Sequence, residues 1–491
     1  MLQLKTVNLK RSAVDALVVP VCEDREIHTD ARLKALVDAA RSVAGFKGKT
    51  GQRVTLFQPA DTRVARAVFF GIGKAEAIDR ESFRTFAGRA VADCIEAELT
   101  AMTIATPTAA ELPMDAPSLF GALMEGAFLG NHVFDRYKAE KTRRPLKTVA
   151  LMATAPQKKA YAGLAESVAA VCKAGIAARE WVTTPSNDKR PAAFAAELQA
   201  AARRAGLKAT VRDERWLEKQ GFGAMLAVGQ GSSATPRLVT LEYAPKGAGK
   251  TVVLVGKGVT FDSGGINLKP SGSLETMKMD MSGAAAVAGT LLAMARLKPS
   301  TRVVGVMPLV ENMPSGTAIR PGDIIRSYAG KTIEIGNTDA EGRLILIDAM
   351  AWAVEQYKPD TLIDLATLTG ACVVALGEKI AGVFSRDPEL AREIVAAGER
   401  TYERCWQLPL PADYKELLKD DFADLNNVGP GRWGGAIVAA LFLAEFVGET
   451  RWAHIDIAGP AWTKKATAYC GAGGTGFGVR LLCDLIANMA N

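Results

Sequence analysis

Along the first 155 residues, short apolar runs alternate with longer segments whose apolar residues recur at helical spacing. This alternation is typical of an α/β domain. We predict strands at Leu2–Asn8, Ala16–Val21, Arg53–Phe57, Ala67–Gly71, Leu99–Ala105 and Lys147–Ala153, and helices that include Glu81–Glu98 and Ser118–Phe128.

The pattern changes after this region. From Gln157 to Trp181 apolar residues keep helical spacing, and the pattern ends in turn formers and prolines at 183–191, which predicts one long helix linking two domains. Near-continuous apolar runs then alternate with helical stretches, and such runs are typical of central strands covered by helices on both faces. The runs are Thr251–Val255, Arg302–Leu309, Thr361–Leu365 and Ala453–Ile457.

The chain is therefore predicted to hold two α/β domains. We place the N-terminal domain at 1–155, the linker helix and turn at 156–187, and the second domain, with a mixed central sheet, at 188–491. A length of 491 residues agrees with this division, since domains typically have ~100–200 residues.

Composition excludes a disordered chain and leaves a nucleic-acid partner as a weak alternative. Hydrophobic residues make up 48% and charged residues 23%, which is enough apolar material for a large core. The net charge of +7 is a mild excess. The segment 136–147 carries six basic residues and one acidic residue, but no aromatic cluster accompanies it, so a solvated loop is the favoured interpretation.

The sequence predicts a cytoplasmic protein without a membrane span. Lys5, Lys10 and Arg11 interrupt the N-terminal region where a signal peptide would need an apolar segment. The most apolar stretch, Ala284–Ala295, is about half the ~20 residues that cross a bilayer. The scattered cysteines form no CxxC pair and indicate reduced thiols: Cys22, Cys94, Cys172, Cys372, Cys405, Cys470 and Cys483.

Nucleotide-binding and serine–histidine motifs are weak. Gly249–Thr251 ends like a phosphate loop but precedes its strand, and Gly471–Gly476 lacks the strand that a dinucleotide site needs, so a tight turn is favoured. Of the three histidines, His28 and His132 are predicted at the surface and His454 in the core. Chemistry must therefore rest on carboxylates, amines and guanidinium groups.

Two acidic segments each follow an apolar strand. Lys257 and Asp262 come after the strand that begins at Thr251, and Asp280 precedes an apolar helix. Asp339 and Glu341 follow a second strand-like segment, TIEIG. Because ligands in open α/β sheets bind outside the carboxyl ends of strands, we expect both segments to face one cleft.

Convergence of these acids favours a metal site over helix caps. Asp280 or Asp339 alone is better explained as a cap or a salt-bridge partner. Four carboxylates in an apolar site would repel one another unless cations neutralise them. Paired divalent ions sit ~3.5–4 Å apart and need bridging carboxylates, a role suited to Asp262 and Glu341. Oxygen ligands favour Mg²⁺, Mn²⁺ or Zn²⁺. Two-metal phosphatases and nucleases use similar sites, so they remain an enzyme alternative beside a nucleic-acid-binding regulatory protein.

Three segments resemble signatures of the leucine aminopeptidase (cytosol aminopeptidase) family. They are KGVTFDSGGINLKP at 257–270, MKMDMSGAAAV at 277–287 and NTDAEGRL at 337–344, and ATLTGA at 366–371 and GTGFGVRLL at 474–482 extend the likeness. The resemblance covers the chain from about Asp188 to the C-terminus. The N-terminal α/β pattern is similar to the family's macro-like accessory domain.

The resemblance implies a role for each candidate residue. One metal site would use Lys257, Asp262, Asp280 and Glu341, and the other Asp262, Asp339 and Glu341. Lys257 would have to be neutral, and the nearby cations would lower its pKa. Lys269 and Arg343 would be catalytic, with Arg343 holding a bicarbonate ion as general base. The implied substrate-binding residues are Met277, Thr367, Leu368 and Gly370.

The sequence thus predicts a dinuclear metallo-aminopeptidase that removes leucine and other large apolar residues from peptide N-termini. Mn²⁺ or Zn²⁺ would be bound, with Mg²⁺ and Co²⁺ as alternatives, to bind the substrate amine, polarise the scissile carbonyl and activate water. Lys269 would stabilise the developing oxyanion. The resemblance also implies a cytoplasmic homohexamer.

Overall fold

The computed structural model describes residues 2–489. The chain divides into two compact units. One comprises the residues up to Cys172 together with Lys465–Ala472, and the other comprises Lys173–Lys464 together with the residues from Gly473 onward. Each unit has its own sheet, so the two are described separately.

The first unit is built on one six-stranded sheet and its helices. Its strands are β1 (Leu2–Lys5), β2 (Val14–Cys22), β3 (Arg53–Phe57), β4 (Val64–Gly73), β5 (Ala101–Ile104) and β6 (Thr148–Met152). Its helices are α1 (Ala31–Arg41), α2 (Arg80–Glu96), α3 (Ala116–Gly130) and α4 (Ala155–Ala160), with short 3₁₀ turns at Ala75–Ala77 and Ala109–Glu111. Helix α5 (Ala162–Thr183) continues into the second unit.

Aspartates begin the three longer helices of this unit. The carboxylate of Asp30 accepts hydrogen bonds from the first backbone N–H groups of α1, and Asp115 does the same for α3. Asp79 and Ser82 form a reciprocal capping box at α2. Such caps satisfy N–H groups that have no partner inside a helix, which explains why the helices begin at these positions.

The strand order of the first sheet is β1-β6-β5-β2-β4-β3, and only β3 runs antiparallel to its neighbour. The parallel strands are connected through helices, as parallel pairing requires. Every strand predicted in this region is present, with ends shifted by a few residues. The core includes Leu17, Val19 and Phe69, which are fully buried.

The long linker helix predicted from Gln157 to Trp181 is interrupted. Helix α4 ends at Ala160, and Tyr161 adopts φ −104° and ψ 12° before α5 begins. The Tyr161 ring packs on Phe120 with a centroid distance of 4.7 Å. This tertiary contact accompanies a break that helical periodicity does not reveal.

The second unit contains the larger sheet and most of the helices. Its helices are α6 (Pro191–Ala205), α7 (Glu214–Gln220), α8 (Gly223–Gly229), α9 (Ser282–Leu297), α10 (Glu341–Tyr357), α11 (Gly370–Leu376), α12 (Pro388–Thr401), α13 (Gly435–Ala444) and α14 (Val479–Met489). Short 3₁₀ segments lie at Ser186–Asp188, Leu274–Met279 and Ala412–Leu418.

The strands of this unit form a nine-stranded sheet and two small sheets. They are β7 (Lys208–Arg212), β8 (Arg237–Tyr243), β9 (Thr251–Gly256), β10 (Gly258–Asp262), β11 (Arg302–Asn312), β12 (Ile324–Arg326), β13 (Thr332–Glu334), β14 (Thr361–Ala366), β15 (Ala381–Ser385), β16 (Cys405–Gln407), β17 (Leu425–Asn426), β18 (Trp452–Asp456), β19 (Trp462–Thr463) and β20 (Gly473–Gly474). The main order is β16-β15-β18-β14-β9-β11-β8-β7, with β10 paired to β11.

The large sheet is mixed, as predicted. Strands β18, β14, β9 and β11 run parallel to one another, whereas β8 is antiparallel to β11 and β15 to β18. Val252–Val255 are all buried. Because successive side chains of a strand point to opposite faces, both faces of the sheet must be covered. Helices α9 and α10 both pack on β9 and β11. The prediction of two α/β domains, the second with a mixed central sheet, is confirmed.

Two sequence predictions about polar residues differ in outcome. His454 lies in the core as expected, but the prediction of a surface His28 is wrong because its side chain is only 2% exposed. The acidic loop around His28 folds back so that the ring bonds to the Pro20 carbonyl. All seven cysteines are buried. No helix within residues 2–489 is long and apolar enough to cross a membrane.

Candidate metal centre

The candidate residues lie at the carboxyl ends of parallel strands in the large sheet. Lys257 stands between β9 and β10, and Asp262 is the last residue of β10. Thr367 follows β14, and Asp456 ends β18. We call the tendency of ligands to bind outside the carboxyl ends of strands the strand-end rule. It correctly predicts this arrangement, because parallel strands bring their carboxyl ends to one edge of the sheet.

A tight turn after β10 brings Lys269 back to Asp262. Gly264 and Gly265 have φ of +88° and +67°, which is backbone that favours glycine. The Lys269 N–H donates to the Ser263 carbonyl at 2.9 Å and closes the turn. The Lys269 ammonium then lies 2.7 Å from Asp262 Oδ2 and 2.6 Å from Asp339 Oδ1.

Three buried carboxylates form the acid cluster, defined as Asp262, Asp280 and Glu341. Each offers an oxygen, and these oxygens all lie within 4.8 Å of one another. Asp262 ends a strand, Asp280 directly follows the 3₁₀ segment before α9, and Glu341 is the first residue of α10. Residues up to 79 positions apart in the chain, from 262 to 341, therefore converge on a volume that suits one small cation.

Lys257 reaches into the acid cluster. Its Nζ lies 2.8 Å from Asp280 Oδ1, 2.8 Å from Glu341 Oε1 and 2.8 Å from the Thr367 carbonyl. Gly342 makes room for it, since a Cβ there would lie 2.6 Å from Lys257 Cε. Any larger residue after Glu341 would displace the lysine.

Burial and charge shift the pKa values of this site. Burial alone would lower the pKa of Lys257, but the carboxylates of Asp280, Glu341 and Asp262 outweigh it and raise that pKa. Burial raises the pKa of Asp280 well above its usual value, although the Lys257 ammonium opposes the change. Without added positive charge, Lys257 is therefore an ammonium ion that partly neutralises the acids.

The acid cluster fits a divalent cation. Asp280 Oδ2 and Glu341 Oε2 are buried and accept no hydrogen bond from the residues of 2–489. Four acids, including Asp339, face two ammonium groups, which leaves a formal net charge of −2. Buried carboxylate oxygens without a partner are costly, and a hard cation is the partner that satisfies them.

Asp339 occupies a different position from the cluster. Its side chain is 34% exposed, and it contacts the site through the Lys269 ammonium. Burial, followed by the charge of Asp262, raises the pKa of Asp339. Asp339 is thus an outer carboxylate on the solvent side of the site.

Arg343 lies two residues after Glu341, in the first turn of α10. Its Nη1 donates to the Asn427 carbonyl at 2.7 Å, and its buried Nε has no hydrogen-bond partner among residues 2–489. Burial lowers the pKa of Arg343 to about 10, against the opposing charges of Glu341 and Asp456. The guanidinium remains cationic at neutral pH and keeps a donor available for an anion.

The four residues predicted to bind substrate are on two segments. Met277 is half-buried in the 3₁₀ segment that leads to Asp280. Thr367 and Leu368 lie between β14 and α11, and Gly370 is the first residue of α11. The Thr367 hydroxyl donates to Asp280 Oδ1 at 2.7 Å, which ties the second segment to the acid cluster. Gly370 is exposed at the start of α11.

Sequence reasoning missed two buried polar residues that support these groups. Asn312 Nδ2 donates to Asp262 Oδ1 at 2.9 Å and to the Thr338 carbonyl at 3.0 Å, so it joins the two acidic segments. Asp456 accepts a hydrogen bond from the backbone N–H of Leu368 at 3.2 Å. Both residues end strands of the large sheet, so the strand-end rule could have identified them.

Two models of one protein family match this chain, one in its N-terminal part and one in its C-terminal part. The model of the cytosol aminopeptidase family, catalytic domain, matches residues 176–483. The model of the cytosol aminopeptidase family, N-terminal domain, matches residues 18–141. The matched catalytic range includes every candidate residue of the site.

Similar proteins cover nearly the whole chain. A probable cytosol aminopeptidase of Geobacter sp. (strain M21) is 42% identical, with 99% of this chain and 99% of the relative covered. Another, of Syntrophotalea carbinolica, is 44% identical over 96% of each chain. Among solved structures, the bottromycin maturation enzyme BotP in complex with Mn is 37% identical with a TM-score of 0.87, and 98% of this chain and 100% of that chain are covered.

Proposed function

This chain belongs to the cytosol aminopeptidase family, and we propose that it is a dinuclear enzyme that releases leucine and other large apolar residues from peptide N-termini. Family membership supports metal-dependent aminopeptidase activity. The leucine preference and the number of metal ions are our extension. The observation that carries the proposal is the buried acid cluster with its two unpartnered oxygens.

We assign the metal-holding residues as the sequence predicted. One cation would be held by Lys257, Asp262, Asp280 and Glu341, and the other by Asp262, Asp339 and Glu341. Bound cations would supply positive charge, polarise the scissile carbonyl and acidify a water molecule. Mn²⁺ or Zn²⁺ are our first choices, with Mg²⁺ and Co²⁺ as alternatives. The manganese named for the similar BotP structure supports Mn²⁺.

Lys257 would change its protonation state when cations bind. In the structure its ammonium forms salt bridges with the carboxylates of Asp280 and Glu341. Positive charge on those carboxylates would remove the main cause of its raised pKa and leave a neutral amine able to act as a ligand. Lysine suits this role because its side chain, unlike that of arginine, readily loses a proton when buried.

Lys269 and Arg343 would serve the reaction through charge. The Lys269 side chain is 15% exposed and lies at the open side of the acid cluster, where an ammonium can stabilise an oxyanion as it develops. Arg343 would hold bicarbonate as general base through its unpartnered Nε. Thr367, Leu368, Gly370 and Met277 would line the position of the substrate's first residue.

We further propose a cytoplasmic homohexamer that acts on peptides. The names of the curated relatives support the compartment, and the family resemblance supports the assembly. Sedimentation of the purified protein tests the assembly directly. A stable monomer would remove that part of the proposal without affecting the chemistry.

A substrate panel tests the function. Leucine, alanine and lysine p-nitroanilides would be compared with a phosphodiester substrate, each with and without Mn²⁺, and DNA binding would be measured by gel shift. We expect leucine p-nitroanilide to have the highest kcat/KM and the phosphodiester to remain intact. Phosphodiester cleavage without peptidase activity would instead support the phosphatase or nuclease alternative. DNA binding with no hydrolysis would support a regulatory protein.

A further inference from the structure

The turn that carries Lys269 is mostly exposed to solvent. Ile266 and Leu268, which lie between its glycines and Lys269, are exposed, so packing of apolar side chains does little to hold it. The bond from the Lys269 N–H to the Ser263 carbonyl closes only its base. Because a lysine side chain is a flexible stem, the position of its ammonium depends on how firmly the backbone beneath it is held.

The hydroxyl of Thr338 joins two parts of this turn. Thr338 is fully buried, and its Oγ1 donates to the Gly264 carbonyl at 2.7 Å. The same oxygen accepts a hydrogen bond from the Asn267 N–H at 2.9 Å. It also lies 3.0 Å from Asn267 Oδ1, so its single hydrogen goes to the closer Gly264 carbonyl. One side chain therefore bonds to the backbone on both sides of Gly265 and Ile266.

The backbone of Thr338 is bonded both to the turn and to the support of the acid cluster. Its N–H donates to Asn267 Oδ1 at 2.9 Å. Its carbonyl accepts a hydrogen bond from Asn312 Nδ2, which also donates to Asp262 Oδ1. Gly265 permits the close approach of the turn, because a Cβ there would lie 2.9 Å from Thr338 Oγ1. Thr338 thus connects the turn to Asp262 through a single intervening residue.

We propose that Thr338 is a positioning residue for Lys269. By holding the turn, its hydroxyl fixes the Lys269 ammonium 2.7 Å from an oxygen of Asp262 and 2.6 Å from an oxygen of Asp339. A group that stabilises an oxyanion must be held to within ~0.5 Å, and a displacement of ~1 Å can lower the rate by about 10²-fold. This inference rests on the proposed function, because the aminopeptidase reaction is where the charge of Lys269 would act.

Loss of the Thr338 hydroxyl should leave the metal-holding residues in place. Asp262 keeps its hydrogen bond from Asn312. Asp339 follows a residue whose backbone N–H stays bonded to the Asn267 side chain. Thr338→Val keeps a branched side chain and removes the hydroxyl that bonds to the turn. The variant therefore separates the hold on the turn from the hold on the acid cluster.

Hydrogen exchange of the full-length protein measures the hold on the turn without an activity assay. In Thr338→Val the amides of Asn267 and Lys269 should exchange faster than in the wild type, while Thr338→Ser should keep their protection. Thr290→Val is the matched control, since Thr290 is equally buried and its hydroxyl donates to a carbonyl within α9 at 2.8 Å. Unchanged exchange in Thr338→Val, or equal acceleration in the control, would overturn the proposal.

Kinetics test whether that hold serves Lys269. Thr338→Val should lower kcat for leucine p-nitroanilide by roughly 10- to 100-fold, with KM and metal content close to wild type, and Thr338→Ser should retain most of the rate. In a Lys269→Ala background the valine should lower kcat little further, because the group it displaces is already gone.

Three kinetic outcomes would overturn the proposal. They are loss of metal together with rate, full additivity in the double variant, and a wild-type kcat in a Thr338→Val protein whose turn exchanges faster. A wild-type chain without peptidase activity would instead refute the proposed function, and hydrogen exchange would still decide whether Thr338 holds the turn.

Discussion

The Thr369 hydroxyl donates a hydrogen bond to Asp456 Oδ2 at 2.7 Å, and both side chains are buried. The same carboxylate accepts the Leu368 N–H, so Asp456 holds two successive residues of the segment after β14. Thr367 in that segment contacts both Lys257 and Asp280. The end of β18 is thereby connected to the acid cluster through hydrogen bonds.

Asp456→Asn should lower kcat/KM for leucine p-nitroanilide by roughly 10-fold, since partners that orient a metal site typically contribute 10- to 100-fold. The amide offers one acceptor where the carboxylate has two, so the segment loses a contact. Asp364→Asn is the control, because Asp364 bonds to Trp452 and His454 and not to this segment. Equal loss of activity in the two variants would indicate a general effect on folding.

Removal of metal should abolish peptidase activity, and Mn²⁺, Co²⁺ or Zn²⁺ should restore it. The physical reason is that Lys257 and Lys269 leave the site with a formal net charge of −2, and divalent cations would supply the charge that activates water and binds the substrate amine. Activity and metal content would be measured on the same chelated samples. Full activity at near-zero metal content would disprove the proposed mechanism.

Glu341→Ala and Asp262→Ala should each lose bound metal together with turnover, because each is proposed to touch both ions. An acid that only capped a helix would cost ~0.5–2 kcal/mol of stability and leave the chemistry intact. Metal analysis of the folded variants separates these cases. Asp413→Ala, on the surface of the same unit, provides a control acid.

The two lysines should behave differently. Lys269→Ala should keep both ions and its fold but lose kcat by roughly 10²–10³, the effect of removing one oxyanion stabiliser. Lys257→Ala should instead reduce the occupancy of one metal site. Both variants would be assayed at saturating substrate and metal. A wild-type rate for Lys269→Ala would show that this lysine has no role in the transition state.

Arg343→Ala should lower kcat without releasing metal, since Arg343 contacts Asn427 and not the acid cluster in the structure. The wild-type rate should also fall in buffer depleted of carbon dioxide and recover when bicarbonate is added. The variant should not respond to bicarbonate. A wild-type rate that is independent of bicarbonate would contradict this role for Arg343.

The local pattern of apolar and polar residues was sufficient to predict most of the strands. The strands β9, β11, β14 and β18 could be predicted because each carries a near-continuous apolar run, and burial on both faces requires that pattern. The break at Tyr161 could not be predicted, since the residues on both sides keep helical spacing. Its ring contacts Phe120, which is remote in sequence.

The sequence by itself determined which acids follow strands, and therefore that Asp262 and Glu341 would approach one edge of a sheet. Only the tertiary structure decided which of their oxygens are left without partners, because Lys257 reaches Glu341 and Asn312 reaches Asp262 from the ends of other strands. It likewise buried His28, whose loop is polar in sequence. Periodicity reports which face of an element is apolar, whereas hydrogen-bond partners depend on contacts between distant segments.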